Sequence, residues 1–225
     1  LGGVFDISCW SNNNWGSGGT NYYFTAVNNK KYELPHYLGP NGAYHRWWGG
    51  MFPALAVDNT GLVYIAYAAD PTFNPGGMSN GESGDVFLAR GWPNGTSWGG
   101  VTIGDGSSTI NLAQGFATVT ARCDYRTYKC YAYVAYQDYT SANKYYKIVY
   151  RKATRPFSST AIGTLSLSTK KAISDVPSLS DYLFIGDYID SFVTSRRYEV
   201  IWTDRSDATG IYDEDDDVMH DVLLP

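Results

Sequence analysis

Four apolar runs in this chain close on an acidic or amide residue at nearly constant intervals. FDISCWSN ends at Asn12, VYIAYAAD at Asp70, AYVAYQD at Asp138 and VIWTD at Asp204, so the closing residues stand 58, 68 and 66 apart. A polar loop and a second strand-like run follow each: NYYFTAV (21–27), DVFLAR (85–90), YYKIVYRK (145–152) and DVMHDVLL (217–224). Three of the four are preceded by an opening run: FPALAV (52–57), GFATVT (115–120) and FIGDYIDSFV (184–193). A period of this length constrains the fold more than any local propensity, because one supersecondary unit must be repeated. The clearest copy is Gly50 to Asp70, two apolar runs joined by Asp58-Asn59-Thr60-Gly61, a sequence with tight-turn chemistry.

A second mark recurs after the third strand. GWPNGTSW (91–98), TAVNNKKY (25–32) and YRKATRPF (150–157) each read as a turn closed by an aromatic, with VTIG (101–104) and LSLS (165–168) as fourth strands. The unit therefore has four strands in about 60 residues and occurs nearly four times, over approximately 1–46, 47–108, 109–178 and 179–225. The first unit lacks an opening strand and the last a closing one. The opening and second strands are continuous apolar runs, which predicts sheets covered on both faces. Four-stranded antiparallel sheets packed face to face around an axis are the blades of a β-propeller, so the expectation is an all-β chain of about three-and-a-half blades. A β-sandwich also has short strands and turn signals, but it predicts no such period. No segment reads as a helix. With 20 Tyr, 24 Gly, 7 Trp and only 17% charged residues, the composition suits strands and turns.

The net charge of -5 supplies no cationic stripe for a phosphate backbone, so nucleic acid is not an expected partner. No apolar run approaches the ~18 residues that span a bilayer as a helix. LGGVFDISCW has no basic leader and no start Met, which reads as a mature product or an excerpt. Cys123 and Cys130 flank DYRTYK between two strand-like runs, the base of one hairpin, where a disulfide is the preferred reading and two buried thiols the alternative. Cys9 is left over. Asn94-Gly95-Thr96 is a glycosylation sequon in a turn. Together these features point to a secreted or cell-surface protein.

The stretches FPALAVDNTGLVYIAYAAD, GDVFLAR and GTSW, followed by GDY leading into VIWTD, resemble the sialidase-like, Asp-box (BNR-repeat) propeller superfamily. The resemblance implies six or seven blades, so this chain would be part of a ring that further blades or partner chains complete; the alternative is a single propeller domain over 1–225, a four-bladed ring without strand exchange. The boxes are degenerate. Where the family pattern has an Asp, this chain has Pro93, Val27 or Lys152. An active sialidase would also carry three arginines, an acid/base Asp and a Tyr activated by Glu. Phe52-Pro53 is preceded by Met51 where such an arginine is expected.

In a propeller the first strand of each blade lines the central channel. Counting back from the closing acids puts Asp187 where Pro53 stands, which makes Asp187, Tyr188 and Asp190 candidates for an axial ligand pocket. The alternative is that Asp187 ties a neighbouring strand. Trp47 and Trp48, beside His45 and Arg46, offer aromatic faces for sugar stacking and hydrogen bonds to hydroxyls, or pack between blades. Asp213, Asp215 and Asp217 in YDEDDD are a candidate Ca²⁺ cluster without the central Gly of a calcium loop, or a solvated acidic loop. No other cofactor is expected. The recurring acids Asp70, Asp138 and Asp204 read as strand-end hydrogen-bonding groups, because a feature present in every unit is structural more readily than catalytic. The resulting expectation is an extracytoplasmic propeller that binds a glycan or surface protein in an adhesive or structural role. The alternative is a sialidase-like glycoside hydrolase with its pocket near Asp187 and Tyr188, which would need two carboxyl groups across the scissile bond.

Overall fold

The computed structural model describes residues 10–11, 22–26, 30–33, 53–69, 85–93, 98–104, 114–140, 145–179, 189–204 and 217–223. All regular elements among them are strands. Strands β1 (Trp10–Ser11), β2 (Tyr22–Ala26) and β3 (Lys30–Glu33) form a small antiparallel sheet. Strands β4 (Ala54–Val57), β5 (Val63–Ala69), β6 (Asp85–Gly91) and β7 (Trp98–Thr102) form a four-stranded meander in chain order.

The long strands β8 (Gln114–Asp124), β9 (Lys129–Thr140) and β10 (Tyr145–Pro156) build the central sheet. Its outer edge consists of three short segments, β11 (Ser166–Leu167), β12 (Lys171–Ala172) and β13 (Ser178–Leu179), each antiparallel to β10. Strands β14 (Ile189–Val193), β15 (Tyr198–Asp204) and β16 (Asp217–Leu223) form a last three-stranded meander. The sequence expects a turn over 150–157, but β10 continues in register with β9 to Pro156. In the two other stretches residues 27–29 and 94–97 lie outside the described residues, between the paired strands β2 and β3 and the paired strands β6 and β7.

Period-2 alternation explains the packing of the central sheet, because both its faces are apolar. Ala132, Val134 and Tyr136 of β9 join Val149 and Ala153 of β10 in a core with Tyr64, Ala66, Ala68, Val86 and Leu88 of the preceding sheet. The alternate residues Tyr133, Ala135, Tyr146, Ile148 and Tyr150 pack against Tyr198, Val200 and Trp202 of the following sheet. The rings of Tyr133 and Tyr198 stack with centroids 4.9 Å apart. Three sheets are thus stacked in chain order with the middle one covered on both faces, as its continuous apolar runs require.

The opening strands are also neighbours, with β8 contacting β4 on one side and β14 on the other. Thr118 Oγ1 of β8 lies 3.3 Å from Ser191 Oγ of β14. Between Gly115 and Thr118 the β8–β9 register shifts, and Phe116 takes φ 47° at this bulge.

Candidate functional site

Of the axial candidates, Asp190 lies within the described residues. It sits on β14 opposite Ile201, exposed, and its Oδ1 accepts the Ser191 N–H at 2.7 Å. Phe192 is exposed two residues on, so β14 turns an acid and an aromatic outward while Ile189 and Val193 pack inward. Asp187, Tyr188, Arg46, Trp47, Trp48, Asn94, Asp213 and Asp215 lie outside the described residues. For Asp217 the backbone alone is described, paired with Asp204 at the start of β16.

Cys123 and Cys130 are direct cross-strand partners on β8 and β9, and their sulfur atoms are 2.01 Å apart, a disulfide. The expected hairpin staple is present. The Asp58 carboxylate lies within 4.8 Å of both sulfurs. With the thiols joined and both Asp58 oxygens engaged, the trio offers no open metal-binding set.

Of the recurring acids, Asp70 lies outside the described residues, and Asp138 and Asp204 behave as strand-end groups. Asp138 accepts from Gln114 Nε2 at 2.9 Å and from Lys170 Nζ at 2.8 Å. Asp204, buried at the end of β15, accepts from the Ser178 hydroxyl. Each therefore ties the end of a second strand to another segment of the chain.

Sequence reasoning missed the most organised polar cluster among the described residues. The turn from β4 to β5 closes through Gly61 N–H to the Asp58 carbonyl at 2.9 Å, with Gly61 at φ 89°, a left-handed geometry that favours glycine. This turn carries Asp58 inward. Asp58 Oδ1 accepts from the Thr60 backbone N–H at 2.8 Å and the Thr60 hydroxyl at 2.6 Å, and Oδ2 from the Tyr64 hydroxyl at 2.9 Å. Arg155, from the end of β10, reaches Asp58 Oδ2 at 2.7 Å, and both side chains are 0% exposed.

Every guanidinium N–H of Arg155 is used. Nε donates to Tyr64 Oη at 2.9 Å, Nη2 to Asp58 and to Thr60 Oγ1, and Nη1 to the Pro156 and Ser158 carbonyls at 3.0 and 3.2 Å. Burial alone would raise the Asp58 pKa, but the hydrogen bonds from Thr60 and Arg155 outweigh it and hold the carboxyl below its ordinary value. Burial, reinforced by the Asp58 charge, pushes Tyr64 well above its ordinary value. A sealed carboxylate with its acceptors filled cannot exchange protons with a substrate, so this cluster joins two sheets and is not a catalytic pair. The one signal for it in the sequence was Asp58 within the turn; nothing local marks Arg155 as its partner.

No family model, curated protein or solved structure matches this chain.

Proposed function

We propose that this chain is a β-propeller, or a part of one, and that it binds a glycan or another surface component at the end where its opening strands begin. The observation that carries this reading is the adjacency of β4, β8 and β14, the first strands of three successive stacked sheets. Neighbouring first strands are what blades around an axis would present. On that geometry Asp190 belongs to an opening strand, β14, with Asp187 and Tyr188 just before it in the chain and Trp47 and Trp48 just before the second unit. The Cys123–Cys130 disulfide supports an extracytoplasmic setting.

A glycan array on the protein and on its Trp47→Ala, Trp48→Ala and Asp190→Ala variants tests the binding reading. Loss of signal in the Trp variants supports an aromatic platform. A wild-type protein that binds no glycan on the array sinks it. Fluorogenic sialosides and other glycosides belong in the same experiment, since turnover of any of them would replace a binding role with hydrolysis.

A further inference from the structure

We infer that the β8–β9 hairpin tip and the sheet face behind it form a second binding surface, for an anionic glycan bearing carboxylate or sulfate groups. The tip spans residues 124–129, with Asp124 and Lys129 the last paired residues of β8 and β9. Tyr125 is 59% and Tyr128 72% exposed, and Arg126 and Lys129 between and beside them are exposed as well. Behind the tip, Tyr131 is flanked by two cations, the Lys152 ammonium 5.3 Å and the Arg122 guanidinium 5.8 Å from its ring centroid. The Tyr131 hydroxyl lies 3.3 Å from Thr127 Oγ1, which joins the sheet face to the tip.

The tip and the strand positions behind it thus carry four cations, Arg122, Arg126, Lys129 and Lys152, and one carboxylate, Asp124, in a chain whose net charge is -5. That carboxylate is itself engaged, its Oδ1 accepting the Arg126 N–H at 2.8 Å. The surface is also built to stay in shape. The disulfide clamps the hairpin at the residues flanking the tip, the Asp124 cap fixes the turn, and Tyr125 packs on Phe157 with ring centroids 5.3 Å apart. Tyr128 holds φ 52°, a left-handed conformation that a bulky aromatic residue rarely adopts. A loop that needed only to turn would place Gly or Asn there.

Exposed tyrosine with arginine and lysine on a preorganised loop is the chemistry of recognition: rigid rings for apolar sugar faces, cations for acidic groups. The tip contains no Leu, Ile, Phe or Trp, so it has nothing to insert into a hydrocarbon layer. Phosphate backbones call for a longer basic stripe than four residues. The polymer favoured by these observations is therefore an acidic polysaccharide. This surface uses none of the residues assigned above to the axial end, so the two ideas stand or fall separately.

The test is retention of the whole chain on an immobilised sulfated polysaccharide at about 0.1 M salt, where a Debye length is ~10 Å. Dextran, poly-glutamate and phosphatidylserine vesicles are the comparison surfaces. Retention on the sulfated polymer, eluted by salt, is expected, with little on the other three. In Arg126→Ala/Lys129→Ala each lost contact should weaken binding about two- to fivefold. Tyr128→Gly should weaken it too while keeping the fold, since glycine accepts the left-handed backbone; a melting curve for each variant verifies this. Absent retention of the wild type, or retention unchanged in the Arg126→Ala/Lys129→Ala/Tyr128→Gly triple variant, overturns the proposal. Equal binding to poly-glutamate or to the vesicles overturns the glycan assignment.

Discussion

Asp58 and Arg155, 97 residues apart in the chain, meet with Nη2 and Oδ2 2.7 Å apart and both side chains out of solvent. The pair connects a turn of one sheet to the last strand-length of the next. Removing either partner strands the other charge in a buried site. Arg155→Met and Asp58→Ala are each expected to lose about 3–5 kcal/mol of folding free energy. Urea melts of both and of the double variant would show the double losing less than the sum, with a coupling of about 0.5–3 kcal/mol. Strict additivity would mean the pair does not act as a unit.

Acid should attack the same place. The Asp58 carboxyl is held below its ordinary value of 3.8, so its stabilisation is fully present above about pH 4, the unfolded value, and is lost as pH falls through the depressed folded value. Melting temperature against pH should show an acid limb that flattens in Asp58→Asn. The alkaline limb has another origin. Tyr64 and Tyr198 are pushed above the ordinary 10.0 by burial first, so their contribution is intact below that value and declines above it, where the unfolded chain ionises.

The hairpin staple closes a short loop, with a sequence separation of 7. The chain-entropy estimate for such a loop is about 2–3 kcal/mol, so Cys123→Ser/Cys130→Ser should melt earlier than the oxidised protein by that amount. A thiol titration showing no free sulfhydryl at these two positions before reduction checks the starting state.

Gly91 accommodates a tryptophan. It pairs with Trp98 across β6 and β7, and a Cβ on Gly91 would fall 2.4 Å from the Trp98 ring. Gly91→Ala must displace that ring, at a cost of about 1–3 kcal/mol, and the tryptophan emission should shift with it. An unchanged spectrum and melt would show that the ring has room to move.

Tyr128→Gly is expected to act in the opposite sense. Relieving a left-handed aromatic residue is worth about 1 kcal/mol, so this variant should melt at or above the wild type. A lower melting temperature would mean the exposed ring contributes packing that its exposure does not suggest.

Several parts of this architecture were legible in the residues. The apolar run of β9 is long and continuous because both faces of its sheet are covered, and the Asp58-Asn59-Thr60-Gly61 turn follows from Gly61 and the Asp side chain. The cross-strand cysteines followed from their symmetrical spacing about a polar loop. Other parts were not. Arg155 lies in YRKATRPF, a polar stretch that reads as a turn, and its strand character comes from twelve residues of pairing with β9 that no local propensity encodes. Its burial depends on Asp58, Tyr64 and Thr60 arriving from another sheet, a coincidence in space with no trace in spacing. The left-handed Tyr128 was equally silent, since tyrosine gives no turn signal.

The fragmentation of the segment beside β10 into β11, β12 and β13 has a bearing on how the protein behaves in a crowd. A twelve-residue strand left bare would offer a long row of free N–H and C=O groups to any passing chain. Here that row is covered in three two-residue pieces separated by bends, with Pro177 just before the last. No piece is long enough to template a foreign strand. This twelve-residue strand of the central sheet is thereby withdrawn from intermolecular pairing, and the chain gains resistance to edge-driven polymerisation from the very irregularity of its outermost layer.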